Sequence, residues 1–179
     1  IKNNDKVGLI IFSDRIEKFV PPRKGRAHVL RVLRELFYHR PEGRGTDIRG
    51  ALEYLSHVIK RRAVVFLVSD FKAPRFEKPL SVAGRRHDLI AVHLGDQREA
   101  VMPALGYMEF EDAETGELHT VNTADPRFRA EFEKRVASER AELGDIFRHS
   151  RVDTIDIETD RPYVQPLMRF FKEREGRFR

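Results

Sequence analysis

Apolar and polar positions in the first part of the chain follow strand patterns. Residues 5–14, DKVGLIIFSD, form an apolar run rich in Ile and Val between polar residues, which predicts a buried strand. After a turn at Ser13 and Asp14, RIEKFV alternates apolar and charged residues and stops at Pro21 and Pro22. This alternation indicates a half-buried edge strand, so the two runs predict a β-hairpin.

Helical periodicity and continuous apolar runs alternate through the middle of the chain. A helix over residues 26–39 carries its apolar residues at helical spacing, namely Val29, Leu30, Leu33, Leu36 and Phe37. A second helix, over about residues 47–60, has a stripe of Ile48, Ala51, Leu52, Leu55, Val58 and Ile59. AVVFLV, residues 63–68, is apolar on both faces, as a central parallel strand covered by helices would be. A short helix near residues 76–83 and a buried strand, HDLIAVHL, follow.

The last third of the chain changes pattern. Residues 106–123 predict two strands around a turn at Glu114-Thr115-Gly116. A long charged helix over about 126–149, a strand RVDTIDIET and a final helix with Leu167, Phe170 and Phe171 facing inward complete the pattern. This order predicts a single domain over residues 1–179, a doubly wound, mostly parallel α/β sheet of Rossmann-like type with an antiparallel edge hairpin.

Composition narrows the class of protein. The 179 residues are 40% hydrophobic and 35% charged, which is typical of a highly charged globular protein and not of a disordered one. The absence of cysteine excludes disulfides, thiolate metal sites and a cysteine nucleophile. No signal peptide is visible, and the apolar runs are too short to span a membrane. Because the sequence starts on Ile1 inside structured sequence, we expect it to be a piece of a longer protein.

The net charge of +5 raises the alternative of an anionic partner. Basic clusters at residues 23–26, 60–62 and 85–86 would supply a nucleic-acid- or anion-binding surface. Acidic residues interrupt these clusters and no series of aromatic residues accompanies them, which favours a solvated surface and no nucleic acid.

Two acidic turns supply the candidate chemistry. Asp70 ends the run AVVFLVSD, while Thr46 and Asp47 stand at the start of the second helix. In a doubly wound sheet, ligands bind outside the carboxyl ends of the strands, so the two loops can converge there. The alternatives are local: Thr46 or Asp47 as an ordinary helix N-cap, and Asp70 as a turn-forming residue.

Motifs for catalysis are missing. The chain contains no G-x-x-x-x-G-K-[ST] loop, no G-x-S-x-G elbow and no H-E-x-x-H spacing. The histidines are predicted to lie at the surface or the edge of the core. A metal-dependent hydrolase would need a carboxylate cluster and a general base that the sequence does not assemble, so we expect no enzyme.

Several segments in a fixed order resemble a known family. NNDKVGLIIFSD, PPRKGR, GRGTDIRGALEYL and RRAVVFLVSDF are similar to the von Willebrand factor A-like domain of a bacterial family catalogued as domain of unknown function 58. This family is usually encoded beside MoxR-type AAA+ ATPases. LGYMEFEDAETGELHTVNT and RFFKER resemble the rest of the domain, so the resemblance covers nearly the whole chain.

The resemblance implies a metal-ion-dependent adhesion site built from three loops. Thr46 matches the threonine of the second loop and Asp70 the aspartate of the third, while Asp47 could hydrogen-bond a coordinated water or cap its helix. Nothing matches the Asp-x-Ser-x-Ser of the first loop, which the family places on a central strand before residue 1. The site is therefore expected to be incomplete in this chain, with Mg²⁺ or another divalent cation bound in the intact protein and none in this fragment.

The resemblance also implies a biological setting. The expected role is a non-enzymatic protein-interaction module in the cytoplasm that docks a MoxR-type AAA+ ATPase, a client protein, or both. Longer family members tend to carry membrane-spanning segments upstream, which implies anchoring at the cytoplasmic face of the inner membrane. Without the central strand, the strands at 7–12 and 64–68 would pair directly, accept a strand from another molecule in a strand-sharing oligomer, or take one from a segment outside these residues.

Overall fold

The computed structural model describes residues 5–96, 99, 101–111 and 116–177. The chain divides into two compact units, and each is described by itself. The first unit consists of Ile1–Arg61 and Ala73–Pro79, and the second of Arg62–Lys72 and Leu80–Arg179.

The first unit contains the predicted hairpin. Strand β1 (Val7–Phe12) pairs antiparallel with β2 (Ile16–Arg23). The prediction that the second strand stops at its two prolines is wrong, because β2 continues through them to its exposed end. The register is irregular there, and irregular positions tolerate residues that cannot donate to the ladder. Gly8 lies against the second proline, where a Cβ would come within 2.9 Å of the ring Cγ.

Both predicted helices of the first unit are present. Helix α1 (Arg26–Tyr38) buries Val32. Helix α2 (Ile48–Val58) buries four of the six residues of its predicted apolar stripe, namely Ile48, Ala51, Leu52 and Leu55. The apolar periodicity therefore identified both helices, but only α2 turns most of its apolar stripe inward.

The second unit is built on a parallel sheet of three strands in the order β3-β4-β7. The strands are β3 (Val64–Ser69), β4 (Asp88–Gly95) and β7 (Asp153–Glu158). Strands β4 and β7 supply a core cluster of Ile90, Val92 and Ile155, against which Ile157, Leu167 and Phe170 pack. Strands β5 (Tyr107–Glu111) and β6 (Leu118–Asn122) form the second predicted hairpin. Residues 114 and 115 of its predicted turn lie outside the described residues.

Helices α3 (Glu77–Arg86), α4 (Pro126–Ser150) and α5 (Val164–Arg177) correspond to the remaining predicted helices. Leu167 and Phe170 of α5 face the core as predicted, but Phe171 is more exposed than the prediction required. No helix in the described part of the chain combines the length and the apolar character needed to cross a bilayer.

Strand β3 differs from its prediction as a central strand covered on both faces. Among the described residues it pairs only with β4, and Val64, Phe66 and Val68 on one face are 59%, 46% and 51% exposed. Within the same residues of the first unit, β1 pairs only with β2. The fold is a mixed α/β structure with a parallel three-stranded sheet and antiparallel hairpins. Its finer, doubly wound arrangement stays a prediction.

Candidate functional site

The start of α2 holds two of the candidate residues. The carboxylate of Asp47 accepts a hydrogen bond from the Gly50 amide at 2.9 Å and so caps the helix. The amide of Asp47 donates to the carbonyl of Ser13 at 2.7 Å, which ties the helix start to the turn between β1 and β2. For Asp47 the capping alternative therefore holds in this structure. Thr46 precedes the cap and is half-buried, and its hydroxyl is not needed for capping.

A buried carboxylate holds the loop that leads to Thr46. Glu17 has a side chain only 4% exposed, and it accepts hydrogen bonds from the Ser13 hydroxyl at 2.6 Å, the Gly43 amide at 2.9 Å and the Glu42 amide at 3.1 Å. These donors, the Ser13 hydroxyl first and the Gly43 amide next, lower the pKa of Glu17. The contact is close, because a Cβ on Gly43 would overlap the side chains of Ser13 and Asp14.

Sequence reasoning missed Glu17. The alternation in RIEKFV is typical of an edge strand, in which Glu17 would be one of the charges that face solvent, and the backbone amides that it binds lie more than twenty residues away. The available signal was Ser13 four residues earlier, since a serine and a glutamate flanking a tight turn can meet across it. Glu17 is therefore a positioning residue for the loop that carries Thr46.

Asp70 lies at the carboxyl end of β3 and is exposed. Its Oδ1 accepts a hydrogen bond from the Lys72 amide at 3.2 Å, as a turn-forming aspartate does. Between them Phe71 adopts a left-handed conformation with φ of +58° and is buried against the ring of Phe147 at 4.9 Å. The turn is thus fixed by packing, and the Asp70 carboxylate faces solvent at the end of the strand.

A row of polar residues crosses the sheet beside Asp70. Ser69, His93 and Asp156 are in register on β3, β4 and β7. The His93 Nδ1 lies 3.0 Å from Asp156 Oδ1, and this hydrogen bond lowers the pKa of Asp156. The Ser69 hydroxyl instead accepts from the Phe71 amide at 3.0 Å. Because no hydrogen bond joins Ser69 to His93 among the described residues, the row lacks the nucleophile–base contact of a Ser-His-Asp hydrolase.

Thr46 belongs to the first unit and Asp70 to the second, so their convergence stays a prediction. Within the described ranges, no three His, Cys, Asp or Glu side chains lie together as a metal-binding group. Thr46 and Asp70 would therefore need further oxygen ligands to hold a cation, since Mg²⁺ takes six.

One histidine is more deeply buried than its predicted placement at the surface or the edge of the core. His87, between α3 and β4, is 1% exposed, and neither ring nitrogen has a hydrogen-bond partner among the residues that the structure describes. Burial, reinforced by the charge of Arg86, lowers the pKa of His87 and favours the neutral ring. The neutral ring of His87 therefore packs in the core, where the sequence pattern did not place it.

The basic clusters differ in their surroundings. Arg23, Lys24 and Arg26 are all exposed at the start of α1. Arg85 donates to the carbonyl and the hydroxyl of Ser81 in the preceding helical turn. The clusters at residues 23–26 and 60–62, which are exposed throughout, are therefore more open to an anionic partner than the cluster at residues 85–86.

Comparison with known proteins relates the chain to a family and to mycobacterial proteins. The sequence profile of a family described as "Protein of unknown function DUF58" matches residues 1–142. The uncharacterized protein MAV169 of Mycobacterium avium is 30% identical over 158 residues, which cover 87% of this chain and 93% of that protein.

Two further relatives are longer. The uncharacterized proteins Mb1516 of Mycobacterium bovis and Rv1480 of Mycobacterium tuberculosis are each 28% identical over 173 residues, which cover 95% of this chain and 54% of the relative. The chain therefore spans about half the length of these two proteins. No solved structure matches it.

Proposed function

This chain belongs to the DUF58 family of proteins of unknown function, and we propose that it is a non-enzymatic protein-interaction module. In this proposal it has a von Willebrand A-like fold and docks its partner through a divalent cation. The partner is a MoxR-type AAA+ ATPase, a client protein of that ATPase, or both. The domain works in the cytoplasm, and a segment upstream of it anchors the intact protein at the inner membrane.

The position of Asp70 carries the proposal. An exposed carboxylate stands at the carboxyl end of a parallel strand, where α/β sheets bind ligands, and the buried Phe71 fixes its turn. A second loop, held by Glu17, presents Thr46 at a helix start without using it as the cap. Hydroxyl and carboxylate oxygens suit Mg²⁺, which keeps several waters and can exchange one for a carboxylate of a partner.

The proposal requires ligands beyond these two residues. The family resemblance implies an Asp-x-Ser-x-Ser loop, and the 179-residue sequence does not contain this motif. We therefore expect the remaining ligands to come from a longer protein, and the 179-residue chain to bind Mg²⁺ weakly or not at all, because two protein ligands rarely compete with the hydration of the ion.

A binding measurement tests the proposal. The longer protein is immobilised, and its affinity for the purified MoxR-type ATPase is measured in Mg²⁺ and in EDTA. We expect EDTA and Asp70→Ala each to weaken binding by about tenfold or more, or ~1.4 kcal/mol. Asp160→Ala, at another exposed aspartate, is the matched control and should bind normally. If neither EDTA nor Asp70→Ala changes the affinity for the ATPase, metal-dependent docking is refuted.

The runner-up is an anion- or nucleic-acid-binding domain, favoured by the exposure of Arg23, Lys24 and Arg26. Its signature is salt dependence, since binding to phosphates weakens log-linearly as salt rises. A fluorescence titration with a labelled oligonucleotide at several salt concentrations separates the two proposals. A steep slope that Arg23→Gln and Arg26→Gln reduce would favour the runner-up.

A further inference from the structure

Helix α1 is attached to the hairpin along one side only. Val32 packs inward at 6% exposure, and His28 Nε2 lies 2.9 Å from the carbonyl oxygen of Val7. Glu35, on the same side, pairs with Lys18 of β2 at 3.4 Å. The opposite side of the helix faces solvent.

That solvent side carries an apolar stripe. Leu30, Leu33 and Phe37 follow the spacing i, i+3 and i+7, so they lie along one face of the helix. They are 55%, 42% and 80% exposed, respectively. Single exposed apolar residues are ordinary on protein surfaces, but a contiguous stripe of large ones indicates a place where another molecule binds.

The charges around the stripe have one sign. Arg26, Arg31 and Arg34 are exposed on α1, and the only acidic residue of the helix is the half-buried Glu35. One guanidinium nitrogen of Arg34 lies 3.8 Å from Glu35, whereas no ion pair is formed by Arg31 among the described residues. The face thus offers apolar contacts together with a net positive charge.

We propose that this face of α1, defined by Leu30, Leu33 and Phe37 with Arg31 and Arg34, docks an acidic amphipathic helix of a partner protein. Apolar residues of that helix at i, i+3 or i+4 and i+7 would cover the stripe, and its flanking carboxylates would meet the arginines. Guanidinium groups suit this role because they bind carboxylates through two parallel hydrogen bonds.

The arrangement of the charges favours a protein helix over a lipid surface. Arg31 and Arg34 are exposed and lie about one helical turn apart, next to Leu30. Two carboxylates one turn apart on a partner helix match this spacing, whereas the mobile headgroups of a bilayer do not fix it. The surface uses neither Thr46 nor Asp70, so this docking goes beyond the proposed metal-dependent contact and requires no cation.

Peptide binding to the 179-residue chain in EDTA tests the proposal. The probe is a fluorescein-labelled helix of about five turns, built from Leu at helical spacing and Glu elsewhere. The control is a scrambled peptide of equal composition, whose leucines do not lie along one face of a helix. Fluorescence anisotropy should show that the acidic amphipathic peptide binds at least about tenfold more tightly than the scrambled one, a difference of ~1.4 kcal/mol.

Charge reversal sharpens the test. Arg31→Glu with Arg34→Glu should lose binding by about tenfold or more and should gain binding to a Leu/Lys peptide of the same spacing. The matched control is Lys78→Glu with Lys134→Glu, which changes the net charge equally on other helices and should bind normally. Phe37→Gln, at a position too exposed to affect folding, tests the apolar contact separately.

Several outcomes would overturn the proposal. One is equal binding of the amphipathic and scrambled peptides, and another is normal binding by the Arg31→Glu/Arg34→Glu variant. Phosphatidylglycerol vesicles that bind the chain when the acidic peptide does not would identify a lipid surface instead. Self-association in sedimentation runs that Phe37→Gln abolishes would identify a second copy as the occupant.

Discussion

Helices α1 and α2 follow one another in the chain, have similar length, and are used differently by the fold. Helix α2 buries Ile48, Ala51, Leu52 and Leu55, whereas α1 buries Val32 alone and leaves its leucines exposed. Both sequences have helical apolar periodicity. The comparison teaches that periodicity identifies residues that share a helix face, while burial depends on what the rest of the chain places against that face.

The sequence contains a signal of the difference. In α2 the stripe of buried residues is free of charge, and Asp47 caps the helix start. In α1, Arg34 follows Leu30 by four residues, where α2 has Leu52 four residues after Ile48, so a charge borders the leucine stripe of α1. Helix α1 also follows Gly25, at φ of +100°, without a side-chain cap. Guanidinium groups are rarely buried without partners, so arginines among apolar residues indicate a face that stays in contact with water or with an anionic partner.

The largest expected effect contrasts one leucine from each helix. Leu52→Ala in α2 should lower the free energy of unfolding by about 2–5 kcal/mol, because it removes a fully buried side chain and leaves a cavity. Leu30→Ala in α1 should change it by less than ~0.5 kcal/mol, because that side chain is exposed. Urea unfolding followed by circular dichroism measures both. Equal losses would contradict the distinction between the two helices.

The next effect concerns the helix starts. Asp47→Ala should cost about 1 kcal/mol, since the Gly50 amide loses its acceptor at the start of α2. Asp47→Asn is the matched control and should retain most of the stability, because asparagine also caps helices. An Asp47→Ala variant as stable as the unsubstituted chain would show that the cap adds nothing to the attachment of α2.

A smaller effect is expected in the loop between the helices. Hydrogen bonds to the folded-state carboxylate lower the pKa of Glu17 below its ordinary value of 4.5. The stability that it contributes is therefore fully present above pH 4.5 and is lost as the pH falls through the lowered folded-state pKa. Glu17→Gln should flatten the fall of the urea midpoint below pH 4.5.

Glu133→Gln, at an exposed position of α4, serves as the control for that measurement and should keep the pH profile of the unsubstituted chain. If Glu17→Gln and Glu133→Gln give the same profile, the Glu17 carboxylate does not hold the loop. The smallest effect in the series belongs to Phe37→Gln, which should leave the urea midpoint unchanged within error because the ring is 80% exposed.

Local sequence patterns predicted the helices and strands well, but they did not predict which elements pack or pair with one another. The charge-free stripe and the Asp-containing turn before α2 sufficed to predict the helix, its buried face and one of the two alternatives for Asp47. The run AVVFLV predicted a strand, but apolar residues on both faces do not reveal which strands lie beside it. Its position at the edge of the described three-stranded sheet was therefore not predictable.

The same limit applies to the candidate site. Asp70 could be placed at a strand end because strand and turn are both local features. Glu17 and His87 were missed because their roles depend on groups distant in the chain or on burial by several elements. Long-range hydrogen bonds and the packing of a neutral imidazole leave no periodic signal in the sequence.

Calorimetric titration with Mg²⁺ tests the central claim that Thr46 and Asp70 belong to a cation-dependent docking site completed by other ligands. The account predicts weak or absent binding by the 179-residue chain. For the longer protein with an Asp-x-Ser-x-Ser loop it predicts stoichiometric binding, which Asp70→Ala abolishes while Asp160→Ala does not. Tight, stoichiometric binding by the 179-residue chain alone, or unchanged binding by the Asp70→Ala variant of the longer protein, would contradict it.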